Sequence, residues 1–253
     1  QDTSSAASDV YKRQVMLVHT PEAYIVNASV QLDDDLSTVA GHVQTYGMSA
    51  GEEVVISLPE IDVSAIAQTD DSGVARFKFE ASLDLWSPSN PKLYEVQIAS
   101  DSDQISDRLG FRTIAVEGTQ IFLNGEPIRF RGISTHEEPI GRDGVAYSRA
   151  DVDALFGEAK QLGVNFVRAA HYPYSRHAAK AADEMGLLLW EEVPIYWNIN
   201  WENPETLRIA RDQVARLVQR DWNRASVVVW SVANETTYSE PRMAFLNRLT
   251  QDV

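Results

Sequence analysis

Residues that could do acid–base chemistry or bind a sugar follow directly after apolar runs in the second half of the chain. The clearest case is residues 227–233, an apolar run that ends at Asn234 and Glu235. For an isolated Asn-Glu pair, a solvated loop would be the better interpretation. Three earlier apolar runs, however, are followed by a similar set of side chains: His136, Glu137 and Glu138; Arg168, His171 and Tyr172; and Glu191, Glu192, Tyr196, Trp197 and Trp201.

These residue types suit carbohydrate chemistry. A pair of carboxylates flanking a glycosidic bond can supply the acid and the base or nucleophile that its cleavage needs. Aromatic rings present flat apolar faces with a polar edge, which suit the C–H faces of a sugar ring. The residue types alone indicate this reaction class only weakly.

The elements that must position these residues alternate between strand and helix. Helical periodicity and end signals predict three helices: one beginning after Ser148, with Asp151 three residues later; one ending at Gly186; and one capped by Asn203 with Pro204 at its first position. The last residues also have a helical pattern. Between the helices lie short apolar runs at residues 129–134, 164–170, 187–193 and 226–233.

This β-α-β-α order predicts a parallel sheet whose strands are buried on both faces. Such a sheet begins either a doubly wound fold or a (β/α)₈ barrel. No Gly-rich fingerprint follows the first strand, which argues against a dinucleotide site. In a barrel, the ends of the strands form one rim where active sites are built. About half of the strands are present, so we expect the chain to be a fragment.

The first half of the chain has the alternation of antiparallel strands. Phe77 and Phe79 alternate with charged residues, and Tyr94, Val96 and Ile98 alternate with polar ones. Turn-forming clusters separate these runs, and no long helical pattern intervenes. We therefore predict an immunoglobulin-like β-sandwich over residues 15–113, followed by the first half of a TIM barrel over residues 114–253. Asn124-Gly125 between two apolar runs predicts a hairpin.

Composition excludes several classes of protein. The chain has 253 residues and a net charge of −15, which disfavours nucleic acid and anionic membranes as partners. It has no cysteine, so a disulfide framework and a thiolate nucleophile are excluded, while the cell compartment stays open. No apolar run has the length of a membrane span. Residues 1–14 show no hydrophobic periodicity, and we expect a non-native or disordered tail there.

Two long segments resemble the signatures of glycoside hydrolase family 2. Residues 165–190 read NFVRAAHYPYSRHAAKAADEMGLLLW, and residues 221–235 read DWNRASVVVWSVANE. Residues 122–138 resemble the start of the family's barrel, and the preceding sandwich is in the family's order. The resemblance covers roughly residues 112–240. It implies a retaining glycosidase, of the kind that includes β-galactosidases, β-glucuronidases and β-mannosidases.

The resemblance also implies roles for individual residues. Glu235 resembles the acid/base, Asn234 the ligand of a sugar hydroxyl, and Arg168 the residue that holds the nucleophile ionised. His171 and His136 resemble sugar-pocket residues. For Arg168 and both histidines a purely structural role is the alternative. Of Glu191 and Glu192, one can bind substrate (we choose Glu192) or both can form salt bridges. Tyr196, Trp197 and Trp201 form either a sugar platform or a packed loop.

Two departures from the family pattern matter. In magnesium-dependent members, a Glu and a His in the loop after the third strand bind the metal, but residues 194–200 here contain neither. We therefore expect no metal at that place and no cofactor. The family's nucleophile follows the seventh strand, so we expect this chain to lack it and to be inactive alone.

The substrate and the assembly stay open. The loop after the third strand favours a parent that cleaves a β-glucuronide or, without metal, a β-galactoside, rather than a β-mannoside. A homo-oligomeric full-length parent is compatible with the resemblance. The alternative function is a non-catalytic carbohydrate-binding or structural module with a degenerate barrel.

Overall fold

The computed structural model describes residues 17–138, 141 and 144–251 of the chain. The tail expected at residues 1–14 lies outside the described residues. Contacts between backbone positions divide the chain into two compact units, with the division between Arg129 and Phe130.

The first unit contains two antiparallel sheets that enclose one hydrophobic core. One sheet has the order β1-β2-β5 and the other β4-β3-β6-β7. The strands are β1 (Tyr24–Leu32), β2 (Thr38–Tyr46), β3 (Glu53–Leu58), β4 (Val63–Gln68), β5 (Val74–Glu80), β6 (Tyr94–Ala99) and β7 (Gln104–Leu109). The alternation in the sequence is confirmed for β6, where Tyr94, Val96 and Ile98 are all buried, and Phe77 of β5 is buried as well.

A small third sheet follows the sandwich. It has the order β10-β9-β8 and consists of β8 (Ile114–Glu117), β9 (Gln120–Leu123) and β10 (Glu126–Ile128). Asn124 and Gly125 connect β9 to β10 with φ angles of 55° and 79°, so the hairpin prediction is confirmed. The Asn124 amide donates to the Trp86 carbonyl at 3.0 Å. Contacts group this sheet with the sandwich, although the sequence analysis places residues 114–128 in the second domain.

The second unit is a parallel sheet covered by helices. Its strands are β11 (Gly132–Thr135), β12 (Phe166–Ala169), β13 (Leu188–Glu192) and β14 (Val227–Ser231), in sequential order. Its helices are α1 (Arg149–Gln161), α2 (Arg176–Met185), α3 (Pro204–Asp221) and α4 (Glu240–Leu249). Sequential parallel strands joined by helices are the opening of a TIM barrel, which confirms the predicted fold class. Within the described residues, none of the helices combines the length and apolarity that crossing a membrane requires.

The helices begin and end where their capping residues lie. Ser148 and Asp151 form a capping box at the start of α1, and the Asn203 side chain accepts from the Glu205 N–H at the start of α3. Gly186 ends α2 in the left-handed conformation, with φ at 66°. These caps fix the strand-to-helix spacing and therefore the length of each loop that carries rim residues.

The helices bury the inner strands of the parallel sheet more completely than its outer strands. Ala178, Ala179, Ala181 and Ala182 of α2 are fully buried, and their small side chains let α2 lie close to β13. The prediction that every barrel strand is buried on both faces is wrong for the two outer strands. No residue of β11 is buried, and in β14 Val227 is buried but residues 228–231 are half-buried. The reason is that β11 and β14 are the end strands of the sheet in the described part of the chain.

Two isoleucines on neighbouring strands of the sandwich differ in burial and so allow a test of its core. Ile56 of β3 is fully buried, whereas Ile66 of β4 is 65% exposed. We expect Ile56→Ala to lower the free energy of unfolding of the sandwich by about 2–5 kcal/mol, because it leaves a cavity in a close-packed core. Ile66→Ala should change it by no more than about 0.5 kcal/mol. Urea unfolding of both variants measures the difference, and equal effects would contradict the described core.

Candidate active site

Arg168 on β12 is the centre of the group of side chains at the carboxyl ends of the strands. Its Nε donates to Glu192 Oε1 at 2.6 Å, and its Nη2 donates to Asn234 Oδ1 at 2.7 Å. Because β12, β13 and β14 are parallel neighbours, their ends meet at one edge of the sheet. The guanidinium thus joins the ends of three strands, and the arrangement brings together residues that are 24 and 66 positions apart in sequence.

Glu192 is held from two sides. Its second oxygen, Oε2, lies 2.9 Å from Nδ1 of His171, while Arg168 Nη2 lies 3.4 Å from the same nitrogen. Both contacts cannot be hydrogen bonds to one tautomer, and the shorter one to a carboxylate favours a proton on Nδ1. The Glu192 side chain is 1% exposed, so this buried charge depends on Arg168 and His171 for compensation.

Glu191 faces the other side of the sheet, because successive side chains of a strand point to opposite faces. It is buried towards the helices, with Oε1 3.7 Å from Nη2 of Arg220 on α3. Neither carboxylate oxygen has a hydrogen-bond partner among the described residues. Burial, and then the nearby charge of Asp221, raise the pKa of Glu191 well above its ordinary value. Of the two glutamates, only Glu192 therefore lies at the rim.

The loop after β11 places His136 beside His171. Their rings meet edge to face with centroids 5.3 Å apart, and the Tyr172 ring lies 6.3 Å from His136. Glu137 is buried, and its carboxylate accepts from the Ser175 N–H at 2.5 Å, at the start of α2. Burial raises the pKa of Tyr172 to about 12, so its hydroxyl stays protonated and can donate. His136 and His171 thus share one aromatic pocket at the rim.

The loops after β13 and β14 continue the parallel pairing beyond the strands. Tyr196 and Asn234 form a parallel β-bridge, and the Asn234 N–H donates to the Ile195 carbonyl at 2.8 Å. The ring of Tyr196 lies 6.5 Å from that of His171. This pairing fixes the backbone of Asn234 and the position of the residue that follows it.

Trp197 and Glu235 lie side by side at the end of that pairing. Trp197 Nε1 donates to Glu235 Oε2 at 3.2 Å. Both residues have left-handed backbone conformations, with φ angles of 58° and 48°. Trp197 is 65% exposed, whereas Trp201 packs edge-on against Phe245 at 5.1 Å within the hydrophobic cluster of α3 and α4. The two tryptophans that the sequence could not distinguish therefore have different surroundings.

Arg242 also contacts the loop that carries Glu235, and the sequence did not indicate this. Arg242 on α4 donates from Nε to the Thr236 hydroxyl at 2.6 Å, and so anchors the residue directly after Glu235. An arginine in the first turn of a helix carries no sequence signal for such a contact.

The arrangement suits proton transfer beside a bound sugar. Glu235 is an exposed carboxylate, next to an amide whose oxygen is already engaged by Arg168. Among the described residues, no cluster of three or more His, Asp or Glu side chains has the geometry to hold a metal ion. The carboxyl of Glu235, the amide of Asn234 and the imidazole of His171 are groups suited to acid–base chemistry and hydrogen bonding.

The buried Glu191 predicts a pH dependence of stability. A carboxyl whose pKa is raised in the folded state stabilises the fold at low pH, and this contribution is lost as the pH rises through the folded-state value. Glu191→Gln removes this proton equilibrium, so the variant should lose less stability than the wild type over the pH range above the ordinary glutamate pKa. Thermal unfolding midpoints across this range measure it. The exposed Glu158→Gln should follow the wild type, and a Glu191→Gln curve parallel to wild type would refute the expectation.

Comparisons with known proteins match both parts of the chain to one family. A model described as glycosyl hydrolases family 2, TIM barrel domain, matches residues 114–253, and a model described as glycosyl hydrolases family 2 matches residues 17–112. The chain is 32% identical over 253 residues to a β-glucuronidase of Streptococcus agalactiae, covering 90% of this chain and 41% of that protein. It is 31% identical over 178 residues to a β-galactosidase of Thermoanaerobacterium thermosulfurigenes, covering 67% and 24%.

A solved structure shows the same fold. The β-D-glucuronidase of Dictyoglomus thermophilum superposes with a TM-score of 0.75 at 29% identity, covering 92% of this chain and 42% of that one. The chain therefore spans less than half the length of these similar proteins. The resemblance inferred from the two sequence signatures is confirmed: the chain belongs to glycosyl hydrolases family 2.

Proposed function

We propose that the full-length protein containing this chain is a retaining glycoside hydrolase that cleaves terminal β-linked sugars. The observation that carries the proposal is the Arg168 bridge to Glu192 and Asn234, directly beside Glu235 at the carboxyl ends of parallel strands. Relatives named β-glucuronidase and β-galactosidase support this reaction class. We propose a β-glucuronide or a β-galactoside as substrate.

Glu235 is the acid/base in this mechanism. In the first step its proton passes to the glycosidic oxygen as the bond to the anomeric carbon breaks and a second carboxylate attacks that carbon. In the second step the Glu235 carboxylate takes a proton from water, whose oxygen displaces the second carboxylate. A retaining enzyme needs about 5–5.5 Å between the two carboxyl groups. In this proposal the nucleophile belongs to the part of the full-length protein that this chain does not include.

Arg168 and Asn234 prepare the site for that chemistry. The Asn234 oxygen accepts from Arg168, so its amide NH₂ is left to donate to a sugar hydroxyl beside the anomeric carbon. Arg168 uses Nε and Nη2 for Glu192 and Asn234, and its positive charge favours the ionised form of a nearby nucleophile. We assign Glu192 to positioning rather than sugar contact, because both of its oxygens are already engaged.

The remaining rim residues complete the sugar pocket. His171 is oriented by Glu192, which leaves its Nε2 to meet a sugar hydroxyl. His136 and Tyr196 pack around His171 and shape the same pocket. These assignments follow from position at the rim and from the direction of the hydrogen bonds.

The acid assignment predicts a dependence on the leaving group. In the full-length protein, Glu235→Gln should lower kcat/KM by about 10²–10⁴-fold for substrates with poor leaving groups, because these need protonation. Activated aryl glycosides should lose far less. The measurement is a series of aryl β-glucuronides and β-galactosides of graded leaving-group acidity. The exposed Glu202→Gln is the control, and equal losses across the series would refute the acid role.

The Arg168 bridge predicts a cost for a substitution that keeps the charge. Lys has a single ammonium group and cannot bond Glu192 and Asn234 in the fixed fork of a guanidinium. We expect Arg168→Lys to lower kcat by about 10²-fold through misplacement of Asn234 and the nucleophile. Steady-state kinetics of the full-length protein measure this, with the exposed Arg131→Lys as control. A variant with wild-type kcat would show that the bridge is not needed for catalysis.

A further inference from the structure

Trp197 and Glu235 form a contact that the proposed mechanism does not yet use. The indole N–H is 3.2 Å from Oε2 of Glu235, and each residue lies beyond the end of its strand, on the paired loops after β13 and β14. We propose that Trp197 is a positioning residue for the acid/base: its N–H fixes the orientation of the Glu235 carboxyl and the oxygen that carries the proton. This inference rests on the proposed function.

The direction of the hydrogen bond decides which oxygen can donate. An indole N–H is a donor only, so Oε2 must act as the acceptor in both protonation states of Glu235. When Glu235 is protonated, its carbonyl oxygen is the better acceptor, so the bond from Trp197 favours Oε2 as the carbonyl and Oε1 as the hydroxyl that meets the glycosidic oxygen. When Glu235 is ionised, the same N–H makes a stronger, charge-assisted bond, which keeps the carboxylate in place for the second step.

Trp197 and Glu235 both have a left-handed backbone conformation, which residues other than glycine rarely adopt. Left-handed φ angles at non-glycine residues cost free energy and persist where the surrounding structure enforces them. The β-bridge between Tyr196 and Asn234 fixes the residues directly before Trp197 and Glu235. Arg242 holds Thr236 on the other side. The β-bridge and the Arg242 hydrogen bond thus constrain the backbone on both sides of Glu235.

The exposure of Trp197 distinguishes a role in positioning Glu235 from a role in core packing. The Trp197 side chain is 65% exposed, so its ring contributes little to the hydrophobic core. Trp201 in the same loop packs against Phe245 and belongs to a hydrophobic cluster. Replacing Trp197 should therefore leave folding intact, which makes the hydrogen bond accessible to kinetic tests in the full-length protein.

The first variant is Trp197→Phe, which keeps an aromatic ring but removes the N–H. The second replaces Trp197 by benzothienylalanine, which keeps the shape of indole with sulfur in place of the N–H. Both should lower kcat/KM by about 10-fold for aryl glycosides with poor leaving groups, with activated aryl glycosides and KM nearly unchanged, since the lost interaction serves proton transfer. Trp201→Phe is the control, and its dependence on the leaving group should stay that of the wild type.

The outcomes distinguish the inference from the function it rests on. If Glu235→Gln shows the selective loss but both Trp197 variants behave as wild type, positioning by the N–H is refuted while the acid role stands. If benzothienylalanine restores wild-type kinetics and Trp197→Phe does not, the ring rather than the N–H matters, and the inference is again refuted. If Glu235→Gln loses no activity on poor leaving groups, the proposed function itself fails.

Discussion

The buried ion pair between Arg168 and Glu192 is the interaction on which the rim depends. A carboxylate that is 1% exposed would be strongly destabilising without a partner, and Arg168 at 2.6 Å and His171 at 2.9 Å supply the compensation. Removing Arg168 would leave the buried Glu192 with His171 as its remaining partner in this group. The pair thus fixes the guanidinium between β12 and β13, and the fixed guanidinium holds the side chain of Asn234, in the loop after β14.

The parallel sheet makes this geometry available. In register, Arg168 of β12 lies opposite Trp190 of β13, two residues before Glu192, so a long side chain can reach along the strand to the carboxylate. The guanidinium also lies 5.3 Å from the Trp190 ring, which supports its stem on an aromatic face. Caps at Ser148, Gly186 and Asn203 set where each helix begins or ends. The parallel sheet therefore positions the rim side chains, and the caps set the lengths of the loops between strands and helices.

Much of this could be predicted from sequence because it depends on local signals. The caps, the hairpin at Asn124 and the alternation in β6 each follow from residue types a few positions apart. The rim residues could be predicted as a set, because they follow apolar runs. The different contacts of Trp197 and Trp201 could not be predicted from the sequence. They depend on which of the two residues packs against α4 and which one bonds Glu235. Contacts between distant segments leave no local pattern.

Glu191 and Glu192 are neighbours on β13, but their carboxyl groups lie in different surroundings. They are adjacent and chemically identical, yet strand alternation sends one to the helices and one to the rim. Burial beside Asp221 favours the neutral form of Glu191, because its pKa is raised. Glu192 instead meets Arg168 and His171, which contact both of its oxygens. Strand alternation therefore decides the surroundings of each carboxyl, and the contacts of Glu192 at the rim help to position Arg168 and, through it, Asn234 beside Glu235.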